Sequence, residues 1–190
     1  YDRNREFVLT TSPSMDILIS SNLERLIYHI AGDSAEADAG FMKKLSEEGK
    51  YQITDEMRER LGDFAGGYAT EEETAEEIRD RYEKDGYVID PHTAVASAVY
   101  GKYRKETGDA TRTVIVSTAS PFKFETSVMK ALGKPHELPD LELADALSAV
   151  SGVAVPQAVA GLRGAEIRHK TVCDKDEKAM AAEVEKFLGI

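Results

Sequence analysis

Apolar positions along the chain follow two periods. Ile19, Leu23, Leu26, Ile27 and Ile30 fall on one helical stripe. They predict a helix over 17–31, with Asp16 as its N-cap and Gly32 as its stop. Ahead of it, residues 6–11 are rich in β-formers and read as a short strand that Ser12-Pro13-Ser14 breaks. Residues 33–85 are acidic and helical in pattern, with short helices around Phe41–Leu45 and Thr54–Leu61. A loop over 63–68 leads to a helix that opens with the capping box Thr70/Glu73 and closes at Gly86.

From Tyr87 the pattern alternates. Tyr87-Val88-Ile89 is extended, and Asp90-Pro91 starts a helix with an N-cap acceptor and Pro at its first position, burying Ala94, Val95, Ala98, Val99 and Tyr103. The run Thr113-Val114-Ile115-Val116 fits a strand covered on both faces. A helix with Phe124, Val128, Ala131 and Leu132 on one side follows, then helices around 140–150 and 156–162 and a last strand from Ile167 to Cys173. A capping box of Asp174 and Glu177 opens the closing helix, with Met180, Val184, Phe187 and Leu188 expected to face the core. Strands alternating with helices indicate an α/β fold, and three or four strands are too few for a complete doubly wound domain, so the sheet is expected to continue in sequence outside these residues.

Composition narrows the function. Hydrophobic residues at 42% and charged residues at 31% describe a globular chain. The 35 acidic residues against 24 basic ones give a net charge of -11, which argues against nucleic acid and against an anionic membrane as partners. A small anionic substrate stays possible, since a local pocket holds a phosphate against the sign of the whole molecule. Cys173 is the sole cysteine, which rules out an intrachain disulfide and a Cys-based zinc site. No apolar run reaches the ~20 residues of a membrane span. The start at Tyr1-Asp2-Arg3 resembles neither a signal peptide nor a natural beginning, so a reducing cytoplasm is the expected location and a piece of a longer protein the expected object.

Common catalytic signatures are absent. Gly62, Gly66 and Gly67 are not followed by Lys-Ser/Thr, no Gly-x-Ser-x-Gly elbow occurs, and the four histidines lack metal-ligand spacing, so no metal site is expected. Three segments stand apart. Ser12-Pro13-Ser14-Met15-Asp16 leads into Ser20-Ser21-Asn22-Leu23-Glu24-Arg25, whose small polar residues suit either a ligand or close helix packing. Gly86-Tyr87-Val88-Ile89-Asp90-Pro91-His92-Thr93 sets His92 and Thr93 at a positive helix terminus, although capping alone explains Asp90 and Pro91. Thr113-Val114-Ile115-Val116-Ser117-Thr118-Ala119-Ser120-Pro121-Phe122-Lys123-Phe124 places hydroxyls just past an apolar strand, where α/β sheets bind ligands; a turn capped by Ser120 is the plainer alternative.

Taken together and in this order, the three segments resemble the threonine synthase family. The phrases that carry the resemblance are Ser-Pro-Ser-Met-Asp-Ile, Ser-Ser-Asn-x-Glu-Arg-Leu, Gly-Tyr-x-Ile-Asp-Pro-His-Thr-Ala-Val and Ser-Thr-Ala-Ser-Pro-x-Lys-Phe, and the likeness extends over essentially the whole chain. It implies a fold-type-II pyridoxal-phosphate enzyme, tryptophan synthase β-like, of which this chain is a partial three-layer αβα domain with a helical insertion. In these terms 1–32 is a strand and helix of the cofactor-binding domain, 33–85 the acidic helical insertion and 86–190 the C-terminal α/β part. The implied reaction is the last step of threonine biosynthesis, a lyase reaction that turns O-phospho-L-homoserine and water into L-threonine and phosphate.

The resemblance also assigns residues. The Schiff-base lysine and the phosphate-gripping glycine loop of the family have no match here, so no catalytic residue is expected in this chain, and the chain alone is expected to be inactive. Thr118 matches the hydroxyl partner of the pyridine nitrogen, with Ser117 the alternative if the register differs. Lys123, His92, Asn22 and Arg25 are candidates for the phosphate or carboxylate of the substrate, with packing or surface ion pairs as the other reading of each. Another fold-type-II lyase, such as a threonine dehydratase or a cysteine synthase relative, and a non-catalytic binding module derived from the family are the alternatives. The phrase Asp90-Pro91-His92-Thr93 disfavours the former.

Overall fold

A computed structural model describes all of residues 1–190. Nine α-helices form: α1 (Ser21–Ile30), α2 (Ala35–Glu48), α3 (Asp55–Glu59), α4 (Glu71–Asp85), α5 (Pro91–Thr107), α6 (Glu125–Ala131), α7 (Asp140–Ser151), α8 (Gln157–Ala160) and α9 (Glu177–Leu188). Short 3-10 turns occur at Pro13–Met15 and Pro121–Lys123. None of the helices is long and apolar enough to cross a membrane.

Most helix boundaries lie where capping chemistry puts them. The Thr70/Glu73 capping box opens α4, which ends at left-handed Gly86. Thr54 caps α3 and Asp90 caps α5. Two caps differ from expectation. Ser20, not Asp16, caps α1, so the helix starts four residues later than its apolar stripe suggested. Asp16 instead accepts from the Thr10 backbone N–H at 2.7 Å and the Thr10 hydroxyl at 2.6 Å, and it holds the loop before the helix. At the other end Asp176 caps α9, in place of Asp174.

Residues 1–155 form one compact unit and 156–190 another. Within the first, α1 packs on α2, and Ile27, Ile30, Leu45, Tyr51 and Met57 are buried together. Farther along, α4 packs on α5 and α6, and α6 packs on α7. The side chains enclosed on these helices include Ile78, Ala94, Val128, Met129, Leu143 and Leu147. The acidic stretch 33–85 is therefore helical as read, and it is not an appendage: α2 packs on α1, and α4 on the two helices that flank the third sequence segment. The smaller unit buries no helical side chain. Met180, Val184, Phe187 and Leu188 were expected in a core but are exposed on α9.

The expected strands do not pair. The only bridge is an isolated antiparallel one between Asp2 and Lys50, and the stretches 6–11, 87–89, 113–116 and 167–173 carry no ladder. Val114 and Val116 are 85% and 73% exposed, whereas Val88 and Ile89 are buried. A strand is defined by its neighbour, because its N–H and C=O groups bond across to another chain segment and not within themselves. Helices close their hydrogen bonds internally, so the helical part of an α/β fold forms from these residues and the ladders do not.

Two outcomes follow. Ile78→Ala, at the junction of α4 with α5 and α6, should cost about 2–5 kcal/mol in urea-induced unfolding. Glu125, at the start of α6, has its carboxyl raised, first by burial and further by nearby Asp140. The folded state then binds the proton more tightly than the unfolded chain does. Its contribution is complete below the unfolded carboxyl value of about 4.3 and is lost as pH rises through the folded value. Glu125→Gln should therefore flatten the fall in stability between pH 4 and pH 7, measured as unfolding free energy at several pH values.

Candidate functional site

The three segments singled out in the sequence meet at the N-terminus of α5. The Asp90 side chain, fully buried, receives every donor around it. Its Oδ1 accepts the backbone N–H of His92 at 2.9 Å and of Thr93 at 3.4 Å, together with the His92 ring Nδ1–H at 3.0 Å. Its Oδ2 accepts the Thr93 hydroxyl. Capping accounts for the two backbone bonds; the two side-chain bonds go beyond it.

His92 links the first segment to the second. The backbone N–H of Ser14 donates to His92 Nε2 at 3.3 Å, so that nitrogen holds a lone pair and the ring hydrogen sits on Nδ1, facing Asp90. Both ring nitrogens are thus engaged inside the protein. The ring also packs on Phe124 of the third segment, centroids 4.8 Å apart. Ser120 caps the turn that leads to Phe124, accepting the Phe122 N–H at 3.3 Å. Phe122 is itself buried, which anchors the turn from below.

Thr93 links the second segment to the third, through a contact of 2.8 Å between its hydroxyl and that of Ser117. A hydroxyl has one hydrogen, and that of Thr93 goes to Asp90. Thr93 therefore accepts at the other contact, and Ser117 donates. Next to it Thr118 is exposed, and its hydroxyl has no partner within the protein.

The remaining candidates lie outside this group. Lys123 is exposed at the end of the Pro121–Lys123 turn. Arg25 donates to Asn22 Oδ1 at 3.1 Å on the exposed side of α1, and neither residue bonds to the Asp90–His92–Thr93–Ser117 group. The sequence singles out His92, Ser117 and Thr118 as candidates, sets Thr93 beside His92 at the helix terminus and explains Asp90 by capping alone. The signal that Asp90 and Thr93 pair was a hydroxyl three residues after the capping aspartate, placed where it reaches the second carboxylate oxygen.

Comparison with known proteins settles the family. The family described as "Threonine synthase, C-terminal" matches residues 93–184. The yeast threonine synthase structure superposes over 100% of this chain and 38% of its own, with a TM-score of 0.77 and 27% identity. Yeast threonine synthase is 35% identical over 147 residues, 70% of this chain and 29% of that protein. The chain belongs to the threonine synthase family. A second structure, threonine synthase from Brucella melitensis with PLP bound, covers 78% of this chain and 30% of its own at 36% identity and a TM-score of 0.63. Among curated relatives, human threonine synthase-like 1 is 37% identical over 134 residues, 70% of this chain and 18% of that protein. The chain spans between 18% and 29% of the curated relatives it matches, roughly a quarter of their length.

Asp90→Ala leaves four donors without an acceptor at a buried point. It should cost at least about 2 kcal/mol, more than an exposed cap, in chemical unfolding.

Proposed function

We propose that this chain is the portion of a pyridoxal-phosphate-dependent threonine synthase that contacts the pyridine nitrogen of the cofactor and forms one wall of the active site. The observation that carries the reading is the junction of the three family segments at Asp90, His92 and Thr93, which presents Ser117 and Thr118 at its surface. The donor set suits the cofactor ring. A hydroxyl is neutral and bonds the ring nitrogen without forcing a proton onto it, unlike a carboxylate. Pyridoxal phosphate, when bound, supplies a conjugated ring that draws electrons from the reacting carbon of the substrate.

This chain's residues serve that chemistry by positioning. Thr118 donates its free hydroxyl hydrogen to the ring nitrogen. Ser117, whose hydrogen goes to Thr93, is the weaker candidate for that contact. Lys123, one turn beyond, is exposed and cationic, which suits an anionic group of O-phospho-L-homoserine. His92 serves the site from within the protein, since its two nitrogens hold the Ser14 loop and Asp90 together. Asn22 and Arg25 keep a substrate role only if an anion competes for Arg25 against its bond to Asn22. The Schiff-base lysine is supplied by other sequence, and the reaction needs both parts.

The test is phosphate release from O-phospho-L-homoserine with added pyridoxal phosphate. The 190-residue chain alone should be silent and the full-length protein containing it active. Turnover by the chain alone, or silence of both, overturns the proposal. In the active protein, Thr118→Val should lower kcat/KM about tenfold or more, in proportion to one lost hydrogen bond at the reacting ring. Lys123→Ala with unchanged kinetics removes Lys123 from the substrate contacts.

A further inference from the structure

Asp90 is buried, the reaction has no direct use for it, and yet it fixes the direction of a hydroxyl chain that ends at the proposed cofactor contact. One of its oxygens takes the Thr93 hydroxyl hydrogen. Thr93 must then accept from Ser117 across 2.8 Å, and Ser117 has no hydrogen left to give. The order Asp90, Thr93, Ser117 is therefore one-way. His92 stiffens the same carboxylate from its other oxygen, with its ring held between Ser14 and Phe124.

We propose that Asp90 and Thr93 are positioning residues for the cofactor: they pin Ser117 as a donor into the protein, which leaves Thr118, of the adjacent pair Ser117 and Thr118, as the hydroxyl free to donate to the ring nitrogen. The inference rests on the functional reading above and adds to it two residues that never touch the ring. A Ser117 hydroxyl free to rotate competes with Thr118 for the same lone pair and lets the turn shift. An anchored one removes the competitor and fixes the backbone from which Thr118 projects. The stretch leading to the turn makes this anchor matter, because Val114, Val116, Ser117 and Thr118 are all exposed and 113–116 has no ladder of its own.

Thr93→Val keeps the shape of the side chain and deletes both bonds, and Thr93→Ser restores the hydroxyl. Ser117→Ala deletes only the outer bond, at an exposed residue, and leaves the buried Asp90–Thr93 pair intact. Each variant is made in the full-length protein. Two readouts are taken: the dissociation constant of pyridoxal phosphate from a fluorescence titration, and the absorption maximum of the bound cofactor. A thermal melt reports on folding. Thr93→Val and Ser117→Ala should each weaken cofactor binding roughly three- to tenfold, the worth of one net hydrogen bond. Both should displace the absorption maximum in the same direction, and the double variant should do no more than either alone. Thr93→Ser should restore both readouts. If Thr93→Val does not fold, Ser117→Ala carries the test.

Wild-type binding and spectrum in Ser117→Ala overturn the inference while leaving the functional reading in place. So does a Thr93→Val protein that melts lower but binds the cofactor with unchanged spectrum and affinity. Failure of the wild-type protein to bind pyridoxal phosphate overturns the functional reading, and this inference with it.

Discussion

The buried carboxylate of Asp90 organises the structure around it. A carboxylate placed out of water needs donors on its lone pairs, and leaving them empty is costly. Here the helix that it caps supplies two of them and side chains supply the others. Satisfying that one group fixes the start of α5, the ring of His92 and the rotamer of Thr93. Through His92 it reaches the loop at Ser14, and through Thr93 the turn at Ser117. Segments separated by about eighty and about twenty-five positions in the chain are joined at a single point, because each donates into the same short network.

Helix packing supplies the frame. With α4 lying on both α5 and α6, the helix that carries Asp90 and the helix that follows the Ser117–Phe124 turn rest on a shared support. Buried Phe122 and the ring contact of Phe124 with His92 hold the turn, which packs on α6. The site depends on rigid helices and buried aromatics, and the extended stretch before it contributes little of its own. The acidic, helix-rich region thus contributes to the frame: its last helix, α4, supports α5 and α6, the helices on either side of the third segment.

What the sequence made legible was local. Caps, stripes and stops were readable because each depends on residues within one turn: Thr70 with Glu73, Asp90 with Pro91, and Ala131 and Leu132 with Val128. Errors arose where a local signal had a rival. Asp16 precedes an apolar stripe as an N-cap should, but Thr10 lies close enough to offer two donors, and Ser20 stood nearer the helix. The stretches that read as strands lack ladders for another reason. An apolar run such as Thr113–Val116 records a preference for being covered, while a ladder requires a particular neighbour that no local pattern names. The stripe of α9 shows the same limit, since amphipathic spacing states which face is apolar and not what covers it.

The family phrases point to His92, Ser117 and Thr118 as candidates, but the direction of the hydrogen bonds around them comes only from the structure. That direction bears on the hydroxyl contact proposed for the ring nitrogen. An aspartate in that place is an acceptor at both oxygens and needs no orienting. A hydroxyl rotates, and depending on where its hydrogen points it offers a donor or a lone pair to the same atom. A neutral contact therefore leaves an ambiguity that a charged contact does not. On the proposed reading a buried carboxylate resolves it: Asp90 takes the hydrogen of Thr93, Thr93 takes that of Ser117, and of the adjacent pair Ser117 and Thr118 only Thr118 keeps its hydrogen free. In that proposal the charge stays off the ring contact, and its orienting power is passed on through neutral hydroxyls.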